Sequence, residues 1–169
     1  MAFDAFLKLD GIQGESQDKV HSGEIEIESF SWGASNTNTG SSGGGGGAGK
    51  VSFQDLHFTM QTSKASPNLM LACCTGKHIP NGVLTCRKAG GANQVEFMKI
   101  KLQDCLVSSY NFGSNSSDTG FSALGGNADK PDDQMTLNFV KIDFLYTVDK
   151  TGETVETSFD PSVNPTGGS

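Results

Sequence analysis

Gly44 to Lys50 reads GxxxxGK, the opening of a phosphate-binding loop in which backbone amides cradle the anion and the lysine neutralises it. Three features turn the match away from that chemistry. Val51 stands where the motif needs a Mg²⁺-binding hydroxyl, and the stretch after Lys50, Val51-Ser-Phe-Gln-Asp-Leu-His-Phe-Thr59, suits a strand instead of the required helix N-terminus. The five consecutive glycines Gly43, Gly44, Gly45, Gly46 and Gly47 have no preferred backbone shape, and ordering them around a ligand would cost about 1–2 kcal/mol per residue.

The other chemistry-bearing residues fare no better. Ser16-Gln-Asp-Lys19 spells SxxK, but in a turn-rich stretch and without the partner motifs of the acylating enzymes. Glu24, Glu26 and Glu28 share one face of a strand, where they could make an acid/base or metal site; with no identifiable partner nearby, they read as a solvated or edge face. Asp129-Lys-Pro-Asp-Asp133 lacks the ligand ladder and closing glutamate of a calcium loop. His21, His57 and His78 are too scattered for a metal triad, and a lone histidine is usually a surface or hydrogen-bonded residue. Cys73, Cys74, Cys86 and Cys105 lack CxxC spacing, so they read as buried, reduced thiols, with Cys73 and Cys74 on different sides of a helix. A cysteine activated by His57 or His78 is the functional alternative, and no nucleophile signature accompanies it. No catalytic, cofactor-binding or metal-binding set assembles, and no enzyme is expected.

The elements that position these residues are short strands. Phe3, Ala5, Leu7 and Leu9 alternate with Asp4 and Lys8, with Phe6 breaking the polar face. Ile25 and Ile27 lie on one parity and Phe30 and Trp32 on the other, which predicts a bulge or a change of buried face near Ser29. Val51 to Met60 forms a strand with Leu56, Phe58 and Met60 on one face. A short helix spans about residues 66–75, with Ser66 as cap, Pro67 at its first position and Gly76 as its left-handed stop. Pro80-Asn81-Gly82 reads as a turn before a strand from Val83 to Lys88, and Gly90-Gly91 as a turn before one from Val95 to Tyr110. Met135 to Val148 and Thr154 to Phe159 make a final pair across Asp149 to Gly152. The expected fold is mainly β, an antiparallel two-sheet barrel or sandwich with one short α-helix. It is read as one domain over residues 1–160, with flexible loops at about 33–50 and 112–134 and a flexible tail at 161–169.

At 169 residues the chain can bury about 70% of its extended surface, enough for a core without staples. A net charge of −7 argues against duplex nucleic acid as a partner. With only 18% charged residues and 22 glycines, the surface is small and neutral, suited to close packing against copies of itself. The longest apolar run, Leu69 to Cys74, falls far short of a membrane span, and Met1-Ala-Phe-Asp4 is not followed by a signal-peptide core, so synthesis is expected to end in the cytoplasm.

Many short motifs follow in order along the chain: Gly14-Glu15-Ser16 with Asp18, Lys19 and His21; Ser31-Trp32-Gly33; Gly49-Lys50-Val51; and Gln54-Asp55-Leu56 with Phe58. Ser66-Pro67-Asn68-Leu69, Gly76-Lys77-His78, Arg87 to Gly91, Val107-Ser108-Ser109 and Leu137-Asn138-Phe139 continue the series. Together they resemble the haemolysin-coregulated protein family, the tube subunits of the bacterial type VI secretion system. The resemblance implies a barrel flanked by one helix, six copies closing into a ring, and rings stacking into a tube that a contractile sheath expels with its spike-tip proteins. It also implies secretion without a signal peptide, and small effector cargo in the lumen. By the same resemblance the loop from Gly33 to Gly49, with Gly43, Gly44, Gly45, Gly46 and Gly47, lies at the ring-to-ring contact. The strand before it lines the channel, nominating Glu28, Ser31 and Trp32 as lumen or cargo residues, although a tryptophan ending a strand more often belongs to core or interface. A monomeric ligand-binding barrel is the alternative.

Overall fold

The computed structural model describes residues 3–37, 50–90, 94–113 and 130–160. Strand β1 (Phe3–Leu9) is followed by β2 (Ile25–Ile27), β3 (Ser29–Ser31), β4 (Ala34–Thr37), β5 (Lys50–Phe53) and β6 (Leu56–Gln61). Helix α1 (Ala65–Thr75) then leads to β7 (His78–Lys88), β8 (Glu96–Phe112), β9 (Asp132–Asn138), β10 (Lys141–Thr147) and β11 (Thr154–Phe159). Among the described residues every strand pairing is antiparallel, and the fold is mainly β with one helix, as expected.

The main sheet runs β2-β1-β7-β8-β9-β6-β3. Its first and last strands, β2 and β3, are separated in the chain by Glu28 alone, so the sheet must curl back on itself. The kink at Glu28 is the expected change of face: Ile25 and Ile27 are buried beside β1, whereas Phe30 turns towards β6 and the core. The two halves of β8 serve different neighbours. Met98 to Gln103 pair with β10, and Leu106 to Phe112 pair with β9. Between them Asp104 adopts φ 53°, a left-handed conformation that aspartate tolerates, and its carboxylate holds His78 Nδ1 at 2.6 Å.

Alternation fills the interior. Leu7, Leu56, Phe58, Met60, Leu84 and Leu137 are fully buried, and α1 packs Ala65, Leu69 and Ala72 onto the barrel. Burying a leucine such as Leu69 contributes about 1.5–3 kcal/mol.

Several boundaries differ from the sequence expectation. The helix starts at Ala65, and Ser66 is no cap: its hydroxyl accepts the Ser63 amide and donates to Asp133, while Ser63 Oγ accepts from Ala65 N at 3.2 Å. Gly76 does stop the helix, at φ 65°. Strand β7 runs straight through Pro80-Asn81-Gly82 instead of turning there. The proline is tolerated because its position pairs with neither neighbour, between Ile79↔Cys105 and Asn81↔Gln103 and beyond the last β1 pair at Gly82. A Cβ at Gly82 would lie 2.9 Å from Leu9 Cδ2, so a larger residue there would push the end of the Leu9 side chain aside. The single strand expected over Val51 to Met60 breaks at Gln54-Asp55, and the one over Met135 to Val148 breaks at Phe139-Val140, where the chain leaves β6 and β8 to pair along the other half of β8. The loop expected over 33–50 has strands at its base, Ala34–Thr37 paired with Lys50–Phe53. Gly43, Gly44, Gly45, Gly46 and Gly47 lie outside the described residues, as do most of the 112–134 loop and the tail at 161–169.

Of the four thiols, Cys86 and Cys105 are buried, with burial pushing their pKa values up to about 11 and about 12, whereas Cys74 is exposed and Cys73 half-buried. The expectation of four buried thiols therefore fails at Cys74, because α1 turns that side of its last turn to solvent. In the folded single subunit a thiol reagent should modify Cys74 rapidly and reach Cys86 and Cys105 only on unfolding, read by peptide mass; rapid labelling of all four would contradict this packing.

Candidate assembly surfaces

The outer face of β3, β6, β9 and the second half of β8 is built by parity. Because Phe58, Met60, Met135 and Leu137 face inward, their neighbours face out in two rows across four strands. Ser31 pairs with His57, His57 with Thr136 and Thr136 with Ser109; beside them run Ser29, Thr59, Gln134 and Asn111. The rows hold hydroxyls, amides and one imidazole, with no aliphatic or aromatic side chain other than His57. At the bulge between Val107 and Ser109, Ser108 Oγ donates to Asp55 Oδ2 at 2.6 Å, and Asn138 Nδ2 donates to Asp55 Oδ1 at 3.0 Å. Glu28 sits at the edge of this face, its amide bonded to Thr59 O at 2.8 Å. Burial, then the charge of Asp132, raises its pKa above the usual carboxylate range against an opposing hydrogen bond from Gln61.

Ser31 and Glu28 thus lie on or beside one surface. Trp32 does not. It is half-buried, stacked on Phe53 at 6.0 Å and tilted against Phe139 at 6.4 Å, with its indole N–H buried and without a hydrogen-bond partner among the described residues. The packing reading of Trp32 fits this place better than the lumen reading.

On the opposite sheet the chain from Gln13 to Glu24 folds over β1 and β7. Phe6, which broke the polar face of β1, is the reason: it is sandwiched between the His21 ring, stacked at 4.5 Å, and the Arg87 guanidinium at 4.8 Å. Arg87 donates to Asp18 at 3.0 Å and 2.5 Å and reaches Asp4 at 3.4 Å. The Arg87 hydrogen bond holds the Asp18 carboxyl far below the usual range, aided by the amides of Val20 and His21. His21 is buried, with Nδ1 2.8 Å from Glu24 and Nε2 2.9 Å from Glu96. Glu24 is therefore not one of three equivalent strand carboxylates: it turns to His21, while Glu26 stays exposed. Burial acts to raise the Glu96 pKa, but Lys99 and His21 together hold it below the ordinary value. Ser16 is buried and its hydroxyl accepts the Asp18 amide at 3.2 Å, a turn role that uses the serine of SxxK structurally.

Two residues central to this architecture were named in the sequence only as the ends of longer runs, Arg87 to Gly91 and Asp129 to Asp133, and given no role of their own. One is Arg87. The other is Asp133, fully buried, whose carboxylate accepts from Thr62 Oγ1 at 2.8 Å, Tyr110 Oη at 2.7 Å and the Ser66 hydroxyl. A signal existed for Asp133: it shares parity with Met135 and Leu137, so the alternation pointed it inward.

These features define an antiparallel β-barrel with one flanking helix, a polar outer sheet face and a clasped surface loop. A family model described as "Type VI secretion system effector, Hcp" matches residues 6–146. The chain is 47% identical over 150 residues to Protein hcp1 of Pseudomonas aeruginosa, covering 89% of this chain and 86% of that one. Among solved structures, Hcp1 from Salmonella typhimurium aligns with TM-score 0.77 and 35% identity over 97% of this chain and 98% of that one. A type VI secretion system effector from Yersinia pestis aligns with TM-score 0.71 and 28% identity over 93% and 99%. The chain belongs to the Hcp family of the type VI secretion system.

Proposed function

We propose that this chain is a non-catalytic tube subunit: six copies close into a ring, rings stack into a tube, and a contractile sheath expels it behind spike-tip proteins. On this reading the protein is made in the bacterial cytoplasm and leaves it as part of the tube, without a signal peptide. The observation that carries the reading is the double row from Ser31 to Ser109 and from Ser29 to Asn111. A wall of hydroxyls and amides offers weak, exchangeable contacts to a passing or resident protein, whereas an apolar wall would trap it. Glu28 and Ser31 belong to that wall, and small effector proteins are its cargo. The alternative of a monomeric ligand-binding barrel is disfavoured by the interior, which is filled by side chains such as Leu56, Phe58 and Met60.

On this reading Gly43 to Gly47, which fall between β4 and β5 in the sequence, supply an adaptable contact between rings. Gly45→Asp with Gly46→Asp should abolish stacks in sedimentation while leaving single rings, because like charges then meet across the junction. Thr59→Arg, in the middle of the polar face, should leave ring mass unchanged and reduce the amount of co-purifying effector. Loss of rings in either variant, or undiminished effector capture by Thr59→Arg, would contradict these assignments.

A further inference from the structure

Helix α1 is chemically unusual for a surface helix. Its residues, Ala65-Ser-Pro-Asn-Leu-Met-Leu-Ala-Cys-Cys-Thr75, include no charge, and apolar side chains occur on both sides. Leu69 and Ala72 face the barrel, but Met70 is 51% and Leu71 57% exposed. A helix apolar all round is normally covered on all sides.

A second uncovered apolar surface lies elsewhere. The core-facing parity of the β8–β10–β11 sheet runs past the edge of the barrel. Along the row Ile100–Phe144–Thr157 the side chains pass from buried through half-buried to exposed. In the next row, Met98–Tyr146–Val155, Tyr146 is 45% and Val155 53% exposed. The β4–β5 hairpin covers only the other end, where Phe53 meets Phe159 at 5.1 Å. Beyond β10, β11 has no further strand neighbour among the described residues.

We infer that the outer face of α1 docks on the overhanging face of the β10–β11 hairpin of a second copy of this chain, head to tail. Three observations select that occupant. First, the surfaces belong to opposite halves of β8: α1 is anchored beside Tyr110 through Asp133, and the hairpin pairs with Met98 to Gln103, so one subunit can use both at once. Second, their borders are complementary in charge. Lys64 and Lys77 flank the helix and Glu153, on the parity of Val155, stands at the end of the hairpin face, all exposed and none in a side-chain ion pair among the described residues. Third, Met70 on the helix and Tyr146 on the hairpin suit an interface core, with the charges at its rim. Two different patches joined head to tail propagate by rotation and close into a ring, so the inference rests on the ring reading and assigns its contact.

The test uses the full chain. Leu71→Glu removes the helix patch and Val155→Glu the hairpin patch; both positions are exposed, and circular dichroism checks that each variant folds. Each alone should lower the ring population about tenfold or more where the unaltered chain is fully assembled. Mixed in equal amounts they should give a dimer and no ring, because one intact helix face meets one intact hairpin face. As a measurement independent of these charges, Val155→Cys treated with a short bis-maleimide should cross-link between subunits to the native Cys74, and Cys74→Ser should abolish the product. Rings of unchanged mass from both glutamate variants, or no Cys74-dependent cross-link, would overturn this contact while leaving the ring intact. A chain that forms no ring before any substitution would overturn the ring reading itself.

Discussion

Asp133→Ala is expected to lower the unfolding free energy by about 2–4 kcal/mol, because it removes the shared acceptor of a buried hydroxyl network. Its carboxylate is the shared acceptor for Thr62, Ser66 and Tyr110, which come from the β6–α1 connection, the first turn of α1 and β8. Removal takes the acceptor from the buried Ser66 hydroxyl and the half-buried Tyr110 hydroxyl, each costing about 1–3 kcal/mol if no new partner is found, while Thr62 Oγ1 keeps Pro131 O at 2.9 Å. Asp133→Asn keeps the shape and an acceptor oxygen, so its loss should be smaller, about 1–2 kcal/mol. The two variants can be compared by urea titration; equal stabilities of Asp133→Ala and the unaltered protein would contradict the network. The same site carries a pH signature. Burial, then the bond to Asp133, pushes the Tyr110 hydroxyl up to about 12, so the folded protein holds that proton more tightly than the unfolded chain does. The contribution is fully present below about pH 10 and declines as pH rises through 10 towards 12; Tyr110→Phe should flatten that decline.

Arg87→Ala is expected to cost about 3 kcal/mol and to release the loop from Gln13 to Glu24. The substitution removes the charge paired with Asp18, uncovers one face of Phe6 and leaves the His21 stack supported from one side only. Arg87→Lys should recover only part of the loss, since an ammonium can neither grip both Asp18 oxygens in the same fork nor lie flat on the Phe6 ring. Because the Asp18 carboxyl is held far below its ordinary value, the stabilisation is complete above about pH 4 and is lost as pH falls below that range. The gap between the unaltered protein and Arg87→Ala should therefore be constant from neutral pH to about 4 and narrow below it. Chemical denaturation at several pH values measures the gap, and hydrogen exchange at Val20 and His21 reports the loop; unchanged protection of those amides would contradict the clasp.

The extent of the fold that could be read from the chain follows the range of the forces involved. Strands whose burial alternates, such as Leu56-Phe58-Met60, announce themselves because parity is local, and Gly76 marks the helix end because only its backbone takes φ 65° cheaply. Pro80-Asn81-Gly82 misled because a turn signal is also local, while the gap in pairing that tolerates Pro80 is created by β1 and β8, far away in sequence. Ser66 misled for the same reason: the stronger acceptor for its hydroxyl lies on β9. The family was legible through many short motifs taken together. Their physical roles were not, since Asp18, His21 and Arg87 acquire meaning only when β7 lies beneath the loop. Phe6, which looked like a defect in an alternating pattern, proves to be the surface on which that loop rests.

Assembly is measured by light scattering on the purified full chain, combined with negative-stain imaging. The expected result is a mass of six subunits and six-fold rings whose channel is lined by the Ser31–His57–Thr136–Ser109 row. A strictly monomeric particle at high protein concentration would contradict it.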